Sequence, residues 1–247
     1  MDAAFPPEAF DDLAKIEANS FWFQSRNKLI AWALQRYFEP PARLLEVGCG
    51  TGFVLQEISR IFKATEIWGG EFYGEGLPHA RLRVPRASLL QLDATQIPFK
   101  GSFDIVCAFD VLEHIQDDAT SLAEIASATR AGGGLVLTVP QHQWLWSYID
   151  EYSFHKRRYS KLELLGKLER AGYRVQLATS FVSLLLPAML LSRRRAAEGE
   201  HREQYQMPRI LNQLFSAVMA AERQAITRGL RLPVGGSLLV VARRKLD

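Results

Sequence analysis

Residues 43–52 read RLLEVGCGTG, a short apolar run that leads directly into three glycines. The run has the length of a β-strand and is apolar enough to be buried on both faces. Gly48, Gly50 and Gly52 predict a sharp turn into the helix that follows, because side chains there would bar a ligand from approaching the backbone. The stretch therefore predicts the first βα unit of an α/β fold, with a ligand site at its glycine turn.

Further apolar runs of strand length follow, and helical stretches separate them. They read EIWGGE from residue 66, SLLQLDA from 88, FDIVCAFD from 103, GLVLTVP from 134, YRVQLATSF from 173 and SLLVVARRK from 237. Alternating βα units of this kind predict a parallel sheet with helices on both faces.

The composition limits which classes of protein this chain can belong to. The chain has 247 residues, of which 48% are hydrophobic and 23% charged, which suits one globular domain, here residues 1–247. Thirty Lys and Arg against 27 Asp and Glu give too small an excess to predict nucleic-acid binding. Cys49 and Cys107 lie in apolar runs and are expected to be reduced core thiols. With no targeting signal in view, we expect a cytoplasmic protein.

Two segments flank this pattern. Residues 21–38 form an amphipathic helix within an N-terminal helical lid, residues 1–40. Residues 183–230 are a helical insertion between strands six and seven, and 193–207 are expected to form a mobile loop. In between, Ser160 and Glu163 form a capping box that opens a helix, which Gly172 closes.

Glu46 favours one class of ligand for the glycine turn. Nicotinamide enzymes use a G-x-G-x-x-G turn facing a pyrophosphate, but here the third glycine comes one residue early. A carboxylate at Glu46 would repel a pyrophosphate, whereas it would attract the ammonium and sulfonium groups of S-adenosylmethionine. Acids also follow the next three strands at Glu71, Asp93 and Asp110, the edge where open α/β sheets bind ligands.

With these residues in place, residues 44–139 resemble the class I S-adenosylmethionine-dependent methyltransferases. The resemblance is strongest to the metal-independent small-molecule branch that carries an E-H pair after strand four, here Glu113 and His114. It implies a Rossmann-like seven-stranded, mostly parallel sheet of order 3-2-1-4-5-7-6, with an antiparallel seventh strand. It also implies S-adenosyl-L-methionine as cofactor and a small molecule as methyl acceptor.

The resemblance assigns the cofactor site residue by residue. Glu71 would hold the ribose diol, Asp93 and Ala94 the adenine, and Arg26 the methionine carboxylate; a solvated Arg26 is the alternative. The full expected set is Arg26, Glu46, Gly48, Cys49, Gly50, Gly52, Glu71, Phe72, Asp93, Ala94, Phe109, Asp110 and His114.

The residues after strand five are expected to hold the acceptor and the base. Transfer to a hydroxyl group requires removal of its proton, for which histidine suits neutral pH. His155 is the first candidate for the base and His142 the second, with Asp150 as the group that orients it. A structural role for each histidine stays open. The pattern shows no set of metal ligands, so a metal-independent enzyme is expected.

Aromatic and basic side chains in the same stretch predict the acceptor site. The expected acceptor-binding residues are Trp144, Trp146, Tyr148, Arg157 and Arg158. The apolar run from 181 to 191 would line the same pocket. Residues 181–195 could instead lie on a membrane surface or simply cover the core, and 181–207 could act as a substrate lid.

The favoured function is O-methylation of a hydrophobic, quinol-like, sugar or lipid-linked acceptor. N- or C-methylation and a non-catalytic cofactor-binding protein remain alternatives. A nucleic-acid substrate is not expected, because FDVLEH follows strand four in place of a motif such as N-P-P-Y. The sequence leaves the acceptor and the choice between monomer and homodimer open.

Overall fold

The computed structural model describes residues 9–195 and 207–246. Its centre is one seven-stranded sheet of order β3-β2-β1-β4-β5-β7-β6, as the resemblance implied. The strands are β1 Arg43–Val47, β2 Glu66–Glu71, β3 Ser88–Gln91, β4 Phe103–Phe109, β5 Thr129–Pro140, β6 Tyr173–Phe181 and β7 Ser237–Arg244. Strand β7 runs antiparallel to both of its neighbours, whereas the pairs among β1 to β5 are parallel.

Helices connect these strands and precede the first of them. In the described part of the chain they are α1 Ala9–Ile16, α2 Phe21–Tyr37, α3 Phe53–Ile61, α4 Leu77–Arg83, α5 Asp118–Ala128, α6 Tyr148–Tyr152, α7 Lys161–Arg170, α8 Leu186–Arg195 and α9 Arg209–Thr227. Ser160 caps α7 as predicted, since its Oγ accepts a hydrogen bond from the Glu163 N–H at 3.2 Å. The Glu163 carboxylate lies 3.6 Å from Lys167 Nζ, and for α7 the structure shows only the Ser160 half of the predicted capping box. None of the described helices is long and apolar enough to span a bilayer.

The sheet is buried on both faces because successive strand residues point in opposite directions. In β1, Leu44 packs with α2, α3 and α9, whereas Leu45 packs with α5 and α7 on the other face. In β4, Ile105 and Val106 divide in the same way. This two-sided burial explains why these strands read as continuous apolar runs in the sequence.

The N-terminal segment lies over the glycine turn. The Phe10 ring sits beside Gly50, where a Cβ added to that glycine would come within 3.9 Å of Phe10 Cε1. The Glu17 carboxylate is buried, accepts a hydrogen bond from Thr51 Oγ1 at 2.7 Å and pairs with Arg83 at 2.5 Å. These contacts hold the segment that precedes α2 against the residues that follow β1.

Helices α8 and α9 lie between β6 and β7 in the chain. The residues expected to form a mobile loop, 193–207, fall mostly outside the described part. One buried carboxylate, Glu222 of α9, joins the two helices: it accepts hydrogen bonds from the N–H groups of Val182, Ser183 and Leu184 at 2.6 to 2.7 Å. Because these N–H groups precede α8, Glu222 sets where that helix begins.

Candidate functional site

A large cavity of about 1790 Å³ lies at the carboxyl edge of the sheet. The ends of β1, β2 and β4 form its floor, and residues from α1, α2, α8 and α9 form its walls. Pockets for one drug-sized ligand commonly measure about 300–1,000 Å³. This cavity therefore has room for a cofactor and a second molecule side by side.

The glycine turn brings the backbone to the cavity. Gly48 and Gly50 have φ values of 71° and 51°, in the left-handed region that favours glycine. A Cβ on Gly48 would meet Val111 Cγ2 at 2.3 Å, so any side chain there would collide with the residues after β4. Gly52 instead packs against Ala80, and it is not among the residues that line the cavity.

Glu71 ends β2 inside this cavity. Its Oε2 accepts the Gly50 N–H at 2.8 Å, and its Oε1 accepts the Tyr73 N–H at 3.1 Å. Burial raises the pKa of Glu71, although these backbone hydrogen bonds oppose the shift. Each carboxylate oxygen has two lone pairs, so both oxygens can also accept a hydroxyl group. A ribose diol is a ligand of that kind.

Asp93 and Ala94 follow β3 along the same edge. Asp93 Oδ1 accepts hydrogen bonds from the Thr95 N–H at 2.8 Å and from Thr95 Oγ1 at 2.7 Å. This small turn holds the carboxylate in one orientation at the cavity wall. A fixed acceptor beside the small Ala94 side chain suits the amino group of a flat heterocycle.

Two buried groups of opposite charge lie deeper in the cavity. Arg26 from α2 pairs with Asp110, and its guanidinium lies 4.6 Å from the centre of the Trp22 ring. Glu46 is 2% exposed, and burial raises the pKa of its carboxyl well above the ordinary value, with Arg26 acting in the opposite direction. Among the described residues, Arg26 Nε and Glu46 Oε2 have no hydrogen-bond partner.

Unpaired polar atoms in a buried site are costly, so a ligand whose groups pair with them is favoured there. A zwitterionic amino-acid group fits this pair, because its carboxylate can accept from Arg26 Nε and its ammonium can donate to Glu46. The residues present therefore fit the methionine portion of S-adenosyl-L-methionine, beside the ribose and adenine positions at Glu71 and Asp93.

A second polar group lies past β4. Glu113 is fully buried, and both of its carboxylate oxygens lack a partner among the described residues. Burial, and next the charge of Asp110, raise the pKa of Glu113 well above its ordinary value. The His114 and His155 rings meet edge to face, with centroids 4.7 Å apart. Within residues 9–195 and 207–246, one ligand atom from each of Glu113, His114 and His155 falls within 4.8 Å of the others, close enough to hold a metal ion.

Asp150 is hydrogen-bonded to His155. Its Oδ1 lies 2.9 Å from His155 Nδ1 and accepts from Arg158 Nε at 2.7 Å. Burial raises the pKa of Asp150, but the hydrogen bonds from His155 and Arg158 outweigh it and lower that pKa to about 2. An ionised Asp150 fixes the proton of His155 on Nδ1, which leaves Nε2 as a proton acceptor on the cavity side.

Most of the residues predicted for the cofactor line this one cavity. They are Arg26, Glu46, Gly48, Cys49, Gly50, Glu71, Phe72, Asp93, Ala94, Phe109, Asp110 and His114. Of the residues predicted for the base and the acceptor, His155, Tyr148 and Arg158 also line it. Arg158 Nε, however, donates a hydrogen bond to Asp150, so this nitrogen is not free to bind an acceptor.

The structure does not bring the other predicted residues to the cavity. Trp144 is 58% exposed and stacks on His142 at a centroid distance of 5.2 Å. Trp146 Nε1 lies 3.4 Å from a Glu151 carboxylate oxygen, and Arg157 donates to the Gln116 carbonyl at 2.7 Å. His142 has a φ of 65°, in the left-handed region, and residues 141–147 are not among those that line the cavity.

Sequence reasoning missed three contributors to the site. Glu113 was visible as half of the E-H pair, but nothing in the pattern indicated that both its oxygens would be buried without a partner. Glu17 and Phe10 gave no signal, because their contacts with the glycine turn depend on how the N-terminal segment packs.

Comparisons with known proteins agree with this geometry. Residues 45–137 match a family model described as a methyltransferase domain. A "probable S-adenosylmethionine-dependent methyltransferase" of Mycolicibacterium smegmatis is 29% identical over 136 residues, which is 54% of this chain and 52% of the relative. A ubiquinone biosynthesis O-methyltransferase of Rhodopseudomonas palustris is 28% identical over 107 residues, 41% of each chain. The chain thus spans about half the length of the curated relatives it matches.

Among solved structures, the [4+2]-cyclase SpnF has a TM-score of 0.64 at 19% identity, over 92% of this chain and 83% of its own. At that identity the likeness shows the fold alone.

Proposed function

Since the chain carries a class I S-adenosylmethionine-dependent methyltransferase domain, we propose that it methylates a hydroxyl oxygen of a small-molecule acceptor. S-adenosyl-L-methionine is the methyl donor, and when bound it supplies both the methyl group and the leaving group. The tasks left to the protein are to bind, to align the acceptor, to exclude water and to remove a proton.

Five residues of this chain hold the cofactor in our proposal. Arg26 takes the methionine carboxylate and Glu46 the ammonium group, because each is buried with a polar atom that lacks a partner among the described residues. Glu71 accepts the ribose hydroxyls, and Asp93 with Ala94 takes the adenine. Phe10 and Glu17 keep the N-terminal segment over the glycine turn and so limit the access of water.

The pair of His155 and Asp150 carries the proposal of an O-methyltransferase. The 2.9 Å contact holds His155 in the tautomer whose Nε2 accepts a proton. His155 lines the cavity beside His114, at the end where a second molecule would lie. In this role His155 takes the hydroxyl proton as the oxygen is methylated, and Asp150 stabilises the resulting imidazolium.

The cavity walls favour an acceptor with an apolar part. Leu185 and Met189 from the α8 region and Phe215 from α9 are among the residues that line the cavity. A quinol-like, lipid-linked or hydrophobic sugar-bearing molecule would place its apolar portion there and its hydroxyl group at His155.

N-methylation is the second candidate, and Glu113 supports it. A buried carboxylate without a partner can bind the ammonium group of an amine acceptor. A non-catalytic cofactor-binding protein is the third. An N-methyltransferase would turn over amine acceptors, whereas a non-catalytic protein would bind the cofactor without turnover.

Isothermal titration with S-adenosylhomocysteine is the first test, with NADH as the comparison ligand. Micromolar binding of S-adenosylhomocysteine and none of NADH supports the cofactor assignment. Turnover of quinol, sugar or lipid-linked hydroxyl acceptors in a following screen supports O-methylation, and turnover of amines alone would favour the second candidate. Absence of S-adenosylhomocysteine binding, with and without acceptors, would refute the proposal.

A further inference from the structure

The first two turns of helix α9 carry large apolar side chains on the face that is turned to solvent. Met219, Glu222 and Ile226 point inward and are almost fully buried. On the opposite side, Ile210 is 82% exposed and Leu214 is 57% exposed. Ala217 and Ala221 extend this exposed stripe at helical spacing. A surface helix of a globular protein normally has a polar outer face, so the stripe indicates a partner that is itself apolar.

The stripe continues to the mouth of the cavity. Leu191 of α8 and Leu211 of α9 both line the cavity, and they are 52% and 36% exposed. We call the surface formed by Leu191, Ile210, Leu211 and Leu214 the mouth face.

Arginines flank the mouth face in the sequence. Arg193, Arg194 and Arg195 follow Leu191, and Arg209, which is exposed, directly precedes Ile210. Residues 182–195 and 207–236 contain a single acidic residue, Glu222. Glu222 is buried and bound to three backbone N–H groups, so it does not offset the arginines at the surface. Residues 196–206, outside the described part, add three glutamates and one arginine, which leaves a positive excess across the whole segment.

We propose that the mouth face docks on the surface of an anionic phospholipid bilayer. Exposed leucine and isoleucine side chains enter the boundary between headgroups and acyl chains, and neighbouring arginines pair with anionic headgroups. A second copy of this chain is a poorer occupant, because two such faces would bring like charges together.

The location has a consequence for the acceptor, which rests on the proposed function. Because the mouth face borders the cavity entrance, an acceptor with an apolar tail passes from the bilayer into the cavity without exposing that tail to water. Such an acceptor would present its hydroxyl group at the inner end, towards His155.

Vesicle co-sedimentation of the full chain tests the docking. We expect binding to vesicles of phosphatidylglycerol and phosphatidylcholine, weaker binding at high salt, and little binding to phosphatidylcholine alone. Leu214→Asp should reduce binding about tenfold, since it removes an inserted side chain and adds a negative charge. Arg209→Glu should reduce it about fivefold or more. The matched control is Leu162→Asp on α7, where the leucine is 85% exposed and lies on another helix.

Two results would overturn the docking. One is that the wild-type chain stays in the supernatant when anionic vesicles are sedimented. The other is that Leu162→Asp loses as much vesicle binding as Leu214→Asp. A dimer in solution that Leu214→Asp dissociates, with no vesicle binding, would identify the face as a self-association surface instead. S-adenosylhomocysteine titration of each variant separates the two proposals. Vesicle binding without cofactor binding would refute the proposed function and leave the docking intact.

Discussion

His155 Nδ1 lies 2.9 Å from Asp150 Oδ1, and the same carboxylate oxygen accepts from Arg158 Nε at 2.7 Å. The carboxylate therefore holds both a histidine and an arginine, and both residues line the cavity. This arrangement gives His155 a fixed tautomer and a fixed direction, which a loop histidine bonded only to solvent would lack.

Replacing His155 with alanine tests its role as the base. General-base catalysis typically contributes about 10²- to 10⁴-fold, so we expect kcat for a hydroxyl acceptor to fall within that range. Affinity for S-adenosylhomocysteine should stay near wild type, because His155 contacts the acceptor side of the cavity. His142→Ala is the matched control, since His142 does not line the cavity. Equal losses in the two variants would remove His155 from the mechanism.

Acid unfolding tests the ion pairs of Asp150. Its pKa is about 2 in the folded chain and 3.8 ordinarily, so the folded state favours the charged form. The resulting stability is fully present above pH 3.8 and is lost as the pH falls through about 2. We expect Asp150→Asn to lower the free energy of unfolding at pH 7 by about 2 kcal/mol or more. Between pH 4 and 2, the difference from wild type should narrow in urea titrations. A constant difference at all pH values would contradict this assignment.

Glu71 provides the sharpest test of the cofactor position. Hydrogen bonds to a charged group contribute about 1.5–3 kcal/mol each, so Glu71→Ala should weaken S-adenosylhomocysteine binding about tenfold to several hundredfold. Glu75→Gln is the control, because this nearby acid is exposed and is not among the residues that line the cavity. Asp93→Ala should weaken binding as well. Wild-type affinity in both alanine variants, measured by calorimetry, would mean that the cofactor lies elsewhere.

The sheet and the cofactor edge were predictable because they follow from local pattern. Apolar runs of strand length mark buried strands, and acids that follow parallel strands must meet at one edge. Glu46, Glu71 and Asp93 could therefore be placed together before their contacts were known.

The acceptor side was harder to predict because it depends on loop geometry. His142 and Trp144 lie in the same stretch as His155, yet only His155 of the three lines the cavity. The S-x-x-D spacing of Ser147 and Asp150, which forms a capping box at the start of α6, can be read from the sequence. Which side chains of the following loop face the cavity cannot, because that depends on the backbone path between β5 and α7. The partnerless carboxylate of Glu113 depends on long-range packing in the same way.

Glu222 should hold the start of α8, which borders the cavity, in a fixed position. Glu222→Ala leaves the N–H groups of Val182, Ser183 and Leu184 without their acceptor, which costs about 1–3 kcal/mol for each group that water cannot reach. We expect faster hydrogen exchange at these amides and at the start of α8, with the sheet unaffected. Arg223→Ala, on the adjacent position of α9, should leave their exchange unchanged. Unchanged protection in Glu222→Ala would show that α8 is held by other contacts.

Divalent metals offer a test of how the polar end of the cavity works. If His155 acts as a free base, EDTA should leave turnover unchanged, in line with the metal-independent chemistry predicted from the sequence. Added Zn²⁺ should inhibit, because Glu113, His114 and His155 have ligand atoms within 4.8 Å of one another and a metal bound there would compete with the proton for His155. His114→Ala should relieve that inhibition by removing one ligand while retaining His155. Loss of turnover in EDTA and its recovery with a divalent metal would reverse the interpretation and make the same three residues a working metal site.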